Sequence, residues 1–226
     1  IGGAISTAVK IEFTDISPSG AVEMVSSTAG DTTQTVTITG RNASGAIITE
    51  AKVLNGTTVV SFTSTWERIL KIVSSATATG TVTVRKSGAG GDLVTLEPGI
   101  TQVRRPFYNA ATPPSGSRTY YEKIFCKNTH GSLALTNAQI IEQSDPSAKV
   151  TFGVAATLDD TGTNGAGNNR QVAPTGITFD SATKNVANGQ SLSFGSAQGI
   201  WLCLTLASTD IATKTTYTLR AQGNSI

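Results

Sequence analysis

Two adjacent carboxylates, Asp159 and Asp160, open the stretch TLDDTGTNGAGNNR (residues 157–170), where ligand-type side chains and glycines crowd together. Calcium is the first chemistry to weigh. An EF-hand loop places oxygen ligands at positions 1, 3 and 5, glycine at 6 and a bidentate glutamate at 12. Counting from Asp159 puts Arg170 at the twelfth place, a cation against a cation. Counting from Asp160 puts Gly162 at the third and Gln171 at the twelfth. Neither register works, although an irregular loop gathering Asp159, Asp160 and backbone carbonyls around an ion stays open. Phosphate fits less well. Gly162, Gly165 and Gly167 run G-x-x-G-x-G, no Lys-Ser/Thr follows, and no helix N-terminus is expected to receive an anion. The same holds for GAGG at 88–91. A long loop without secondary structure inside a compact domain is often functional. The preferred reading makes this one a contact loop, with Asp159, Asp160 and Asn164 as interface residues.

Catalytic constellations are thin elsewhere. The single histidine, His130, sits in the turn NTHGS. A Ser/His/Asp or Cys/His arrangement needs a base held by a third group, and a solvated turn residue is the weakest form of that signal. One histidine and two distant cysteines, Cys126 and Cys203, exclude zinc sites of the usual Cys/His type. Both thiols lie in apolar runs and read as small buried hydrophobes, with a bridge open only if their strands are neighbours. A carboxylate pair for glycoside hydrolysis is not fixed by spacing, and most of the 15 acids lie beside turns. The chain is expected not to be an enzyme and to need no cofactor or metal. Arg104 and Arg105, followed by Pro106, Phe107 and Tyr108, form the densest positive-plus-aromatic spot. Arg and Tyr are enriched at interface hot spots, so Arg104, Arg105, Phe107 and Tyr108 join the interface candidates.

The elements that must position these residues read as strands. Of 226 residues, 14% are charged and 38% hydrophobic, and Ser and Thr supply much of the polar remainder. Such a Thr- and Gly-rich chain suits pleated, half-buried surfaces rather than helices. QTVTITG alternates Val36 and Ile38 with threonines, the period of a strand with one wet face. AIITEAKVLNG returns as a second strand, and Asn55-Gly56 is the strongest hairpin signal. STWERILKIVSS fits a short helix or a strand, and its Thr/Ser-rich flanks favour the strand. TGTVTVRK, YYEKIFCKN, LALTNAQII, AKVTFGVAA, TGITFD, QSLSFG, GIWLCLTLAS and TTYTLRAQG continue the pattern. In GIWLCLTLAS, Ile200, Leu202, Leu204 and Leu206 define a core face, and the strand is expected to be central. Without βαβ alternation, a parallel α/β sheet is rejected.

The expectation is therefore all-β: two β-sandwich or jelly-roll-like domains, 1–98 and 119–226, joined by an extended linker at 99–118. The net charge of +2 is too small to imply nucleic acid or an anionic membrane. No apolar run approaches the ~18 residues that span a bilayer. The opening IGGAISTAVKIEF has no basic segment followed by an apolar one, so no export signal is expected.

AGDTTQTVTITGRNASGAIITEAKVLNGTTVV, followed by ILKIVSSATATGTVTV, resembles the β domains of tailed-bacteriophage virion proteins. Those domains often carry a Gly-Arg-(Asn/Asp)-Ala-x-Gly turn, a Thr-Glu strand, an Asn-Gly-Thr hairpin and an ATGTVTV strand. RPFYNA, YYEKIFCKN and GIWLCLTLAS look like the partner domain in such chains. The resemblance is a texture of β motifs and carries no catalytic signature. It implies a virion structural protein assembled in the host cytoplasm, with capsid decoration (cementing) as the leading role. Its implied partners are the major capsid protein or other virion proteins, and its implied state is a homo-oligomer, with a trimer favoured. The alternatives are a neck, tail or baseplate component and, from another class, a carbohydrate-binding or adhesin module. Tyr120, Tyr121 and Trp201 would form the adhesin's platform if they pointed outwards. On the assembly reading, deleting Thr157–Arg170 is expected to spare the fold and weaken attachment to the particle.

Overall fold

The structure is a computed structural model that describes residues 2–164, 169–211 and 215–225. It is almost entirely β, and the chain divides into two compact units. One is Ser6–Tyr108; the other joins Ile1–Ile5 to Asn109–Ile226. Within 99–118, read from sequence as an extended linker, Gln102–Arg104 form a sheet strand and residues through Tyr108 group with the first unit. Ser117 and Arg118 open a strand of the second.

The first unit holds β1 (Val9–Lys10), β2 (Val22–Ser26), β3 (Thr35–Arg41), β4 (Ile47–Val53), β5 (Val60–Ser61), β6 (Arg68–Ser74), β7 (Val82–Lys86), β8 (Asp92–Leu96) and β9 (Gln102–Arg104). They make two sheets, ordered β1-β9-β6-β3-β4 and β5-β2-β7-β8. Only the β1–β9 pair is parallel among these. Both sheets feed one core, in which Val36, Ile38 and Ile72 of the first meet Val22, Met24 and Val84 of the second around Trp66. The Thr/Val alternation of β3 gives a strict buried/half-buried alternation. Within STWERILKIVSS, Arg68–Ser74 form β6, and Trp66 makes an isolated bridge with Gly20.

Carboxylates fasten this unit's loops. Buried Asp31 accepts from the Ser26 hydroxyl at 2.6 Å and from the backbone N–H groups of Thr79 and Gly80 at 2.9 and 3.0 Å. Glu23 accepts from Arg85 Nε at 2.8 Å and from the N–H groups of Gly88 and Ala89, both at 3.0 Å. Glu50 accepts from the N–H groups of Thr63 and Ser64, both at 2.9 Å. Gly56 has φ +57°, and a Cβ there would lie 2.4 Å from the Ala29 carbonyl oxygen, so the hairpin turn admits no side chain.

The second unit holds β10 (Ser117–Lys127), β11 (Leu135–Ser144), β12 (Val150–Leu158), β13 (Lys184–Asn185), β14 (Ala197–Ala207) and β15 (Thr218–Ser225). Its sheets are ordered β10-β14-β12 and β13-β11-β15. Among the described residues the one helical turn, α1 (Ala187–Gln190), has left-handed Asn188 and Gly189 inside it and is a turn rather than a helix. β14 is central, as its sequence predicts, but its first six residues are buried without alternation. TGITFD and QSLSFG do not form ladder strands. Each supplies one isolated bridge, Asp180 with Phe152 and Leu192 with Leu135, because Gly176 and Gly195 turn the chain through positive φ beside them.

Candidate functional site: the base of the 157–170 loop

β10 carries a Glu-Lys pair in the middle of an otherwise aromatic and apolar strand. Successive side chains of a strand point to opposite faces, so Glu122 and Lys123 go to opposite sides of the sheet. Glu122 lies opposite Leu202 in the register and Lys123 opposite Trp201.

The Lys123 side chain is 0% exposed. Its ammonium donates to the carbonyl oxygens of Gly3 (3.1 Å), Asp160 (2.9 Å) and Gly162 (3.1 Å), and to Asp160 Oδ2. The rings of Phe125 and Trp201 face it at 5.0 and 5.4 Å, within cation–π range. Asp160 and its neighbouring carbonyls thus do gather around a cation, and that cation is the Lys123 ammonium. Asp160 Oδ1 also accepts from the Gly162 N–H at 3.1 Å.

On the other face, the Arg170 guanidinium pairs with the Glu122 carboxylate and donates to Asn109 Oδ1. Glu122 is 1% and Arg170 14% exposed at the side chain. The Arg170 carbonyl accepts from the Tyr121 N–H at 2.7 Å. The descending limb of the loop is therefore held from one face of β10 and the returning limb from the other. Asp159, at φ +52°, exchanges two bonds of 2.8 Å with the backbone of Ala197 at the start of β14. Asn164 is buried and closes the base by donating from Nδ2 to the Asn169 carbonyl at 2.6 Å. Gly165, Gly167 and the rest of 165–168 lie outside the described residues.

This geometry argues against the expectation that the whole loop can be deleted without cost to the fold. Deleting Thr157–Arg170 would take Asp160 and Gly162 from the buried Lys123 ammonium and Arg170 from the buried Glu122 carboxylate, and removing one partner of a buried ion pair is strongly destabilising.

Arg104, Arg105, Phe107 and Tyr108 are half-buried in the first unit. Arg105 donates from Nε to the Ile69 carbonyl at 2.7 Å, pairs with Asp15, and lies 4.8 Å from the Phe13 ring centroid. Burial lowers the Arg105 pKa, and Asp15 opposes the shift. Lys71 and Arg104 face the Tyr108 ring at 5.3 and 5.9 Å, and Phe107 has φ +58°. These residues already have internal partners, as do Asp159, Asp160 and Asn164.

His130 Nδ1 accepts from the N–H groups of Ser132 and Leu133 at 3.1 and 2.9 Å, which makes it a turn staple. It lines an open cavity of about 510 Å³ with Cys126, Leu135 and Leu192. Burial pushes the Cys126 thiol above its ordinary pKa, the opposite of what a nucleophile needs. Cys126 pairs in register with Gln198 and Cys203 with Tyr121, five positions apart and on opposite faces, so the two thiols are unbridged. Among the described residues no three His, Cys, Asp or Glu side chains cluster as a metal site would require. Tyr120 and Trp201 are buried, and the Tyr120 hydroxyl donates to the Ala111 carbonyl at 2.8 Å. Tyr121 packs on Phe179 at 5.3 Å. They form no outward aromatic platform.

Lys123, Glu122, Arg170 and Gly3 were missing from the sequence-based candidates. The signal for two of them was present: a charged pair inside YYEKIFC must meet partners if the strand is buried on both faces. Compared with protein families, curated proteins and solved structures, the chain matches none.

Proposed function

We propose that this chain is a non-enzymatic virion structural protein built of two sandwich-like domains, acting as a capsid decoration (cement) protein. It binds the outside of the head as a homo-oligomer, favoured as a trimer, and bridges capsid subunits. The observation that carries this reading is the anchorage of the 157–170 loop by two buried ion pairs on opposite faces of one strand. Buried ion pairs add little net stability compared with apolar residues, and their best-attested use is to specify geometry. Anchored at Asp160 and Arg170, the two limbs of the loop leave β10 from fixed points, which suits a surface that docks rather than one that reacts.

Two further features agree. The edge strand β4 exposes Ile47 at 54% and Val53 at 52%, and β15 is mostly exposed along an edge. Sheet edges and exposed apolar side chains are the features from which protein contacts are built. The motifs that resemble virion β domains also serve the fold. Asp31 of AGD holds Thr79 and Gly80 of ATG, and Glu50 of the Thr-Glu strand holds the 63–64 turn.

The test shortens only the tip. Replacing residues 165–168 with two glycines keeps Asp160, Asn164, Asn169 and Arg170, and the fold is expected to survive with its melting temperature unchanged. Attachment of this variant to purified particles should weaken in a sedimentation assay. Full occupancy by the shortened variant would contradict the docking role. A neck, tail or baseplate position is the second reading within the same class, favoured by the same loop geometry and separated from decoration by copy number.

A further inference from the structure

The Lys123–Trp201 face of β14 is covered by chain from far away in sequence. Gly2 forms an antiparallel bridge with Thr163, and the Gly3 N–H donates to the Gly162 carbonyl at 2.7 Å. The Gly3 carbonyl then accepts from Lys123 at 3.1 Å. Gly2 has φ +105°, and a Cβ on it would lie 2.6 Å from Trp201 Cη2 and 2.8 Å from the Gly162 carbonyl oxygen. The space over the indole therefore admits backbone and no side chain. Trp201 is only 2% exposed with this segment in place.

We infer that Trp201, Lys123 and the Gly162–Thr163 backbone form a binding slot for a glycine pair in positive-φ backbone, occupied by this chain's own Gly2–Gly3. Three properties define the ligand. It must turn through positive φ at both residues, because Gly2 lies at +105° and Gly3 at +82° where they meet the Gly162–Thr163 backbone. It must lack a side chain above the indole, because the contact there is closer than any Cβ tolerates. It must offer a carbonyl to the ammonium, because the Gly3 carbonyl accepts from Lys123 at 3.1 Å. Gly2–Gly3 satisfies all three.

The slot also couples the arm to the loop. One ammonium holds the Gly3 carbonyl together with Asp160 and Gly162, and Gly162 bonds both Gly3 and Asp160. Removing the arm takes one acceptor from a buried cation and opens the indole to water. Removing the Asp160 charge leaves the same cation without its counterion. Either change loosens the other limb. The slot is a property of the free protein and its test needs no particle, so its failure and the failure of the assembly role are read separately.

Amide hydrogen exchange on three variants tests this. Gly2→Leu is expected to expel the arm and speed exchange at Gly3, and also at Gly162, roughly ten- to hundredfold, as loss of a bond to a charged group implies. Asp160→Asn, made in the loop alone, is expected to speed exchange at Gly3. Lys123→Met should release both segments and shift the Trp201 emission to the red; the other two variants carry the test if it does not fold. Protection of Gly3 retained in Gly2→Leu would overturn the glycine-specific slot. Faster exchange confined to the mutated segment in both Gly2→Leu and Asp160→Asn would overturn the coupling.

Discussion

Single carboxylates act in this protein as loop fasteners. Glu50 shows the balance of effects: burial works to raise its pKa, but the N–H and hydroxyl groups of Thr63 and Ser64 prevail and hold it at about 2, against an ordinary 4.5. Glu23, Asp31, Glu97 and Asp145 are lowered as well. A carboxylate whose folded pKa lies below its unfolded one stabilises the fold at pH above the unfolded value. That contribution disappears as pH falls through the folded value. For Glu50 the loss runs from 4.5 down to about 2. Melting temperature measured against pH should therefore fall steeply on the acid side, and Glu50→Gln should be less stable at neutral pH with a shallower acid decline. An acid limb identical to the parent's would show that the Glu50 bonds do not form. Arg170→Met tests the other buried pair. It takes the guanidinium from the buried Glu122 side chain, and urea denaturation should show a loss of about 3–5 kcal/mol. Replacing Glu122 by Leu in the same chain should recover much of it.

At the scale of elements, much of the strand pattern was legible. β3 could be read from its threonines and valines, and β6 from its flanks, because local alternation and the surrounding core demand the same thing. TGITFD and QSLSFG have strand-like composition but no ladder partner, and glycines at positive φ divert them. β14 was read as central with one core face. The second face was invisible because what covers Trp201 is Gly2, some two hundred residues earlier, and alternation reports only local neighbours. The same distance hid the loop base, since nothing near Asp160 in sequence names Lys123 as its partner. The Asn55-Gly56 hairpin was legible, and the structure adds why a side chain is refused. Gly56→Ala would push a methyl group into the Ala29 carbonyl, and overpacking of this kind typically costs about 1–3 kcal/mol. Equilibrium unfolding of Gly56→Ala with parental stability would mean that the turn opens freely.

For the whole molecule, the composition led to an all-β chain and the structure shows one, in several sheets within two compact units. The chemistry-bearing residues are spent on holding loops: Asp31, Glu23 and Glu50 in the first unit, Lys123, Glu122 and Arg170 in the second. A protein organised this way fixes surfaces, and the proposed role is to fix them against a viral shell. Copy number tests that claim most directly. Quantitative mass spectrometry of purified particles should find this chain in a fixed, lattice-commensurate ratio to the major capsid protein. A handful of copies per particle would contradict decoration and move the chain to the neck or tail, and its absence from particles would contradict a virion role altogether.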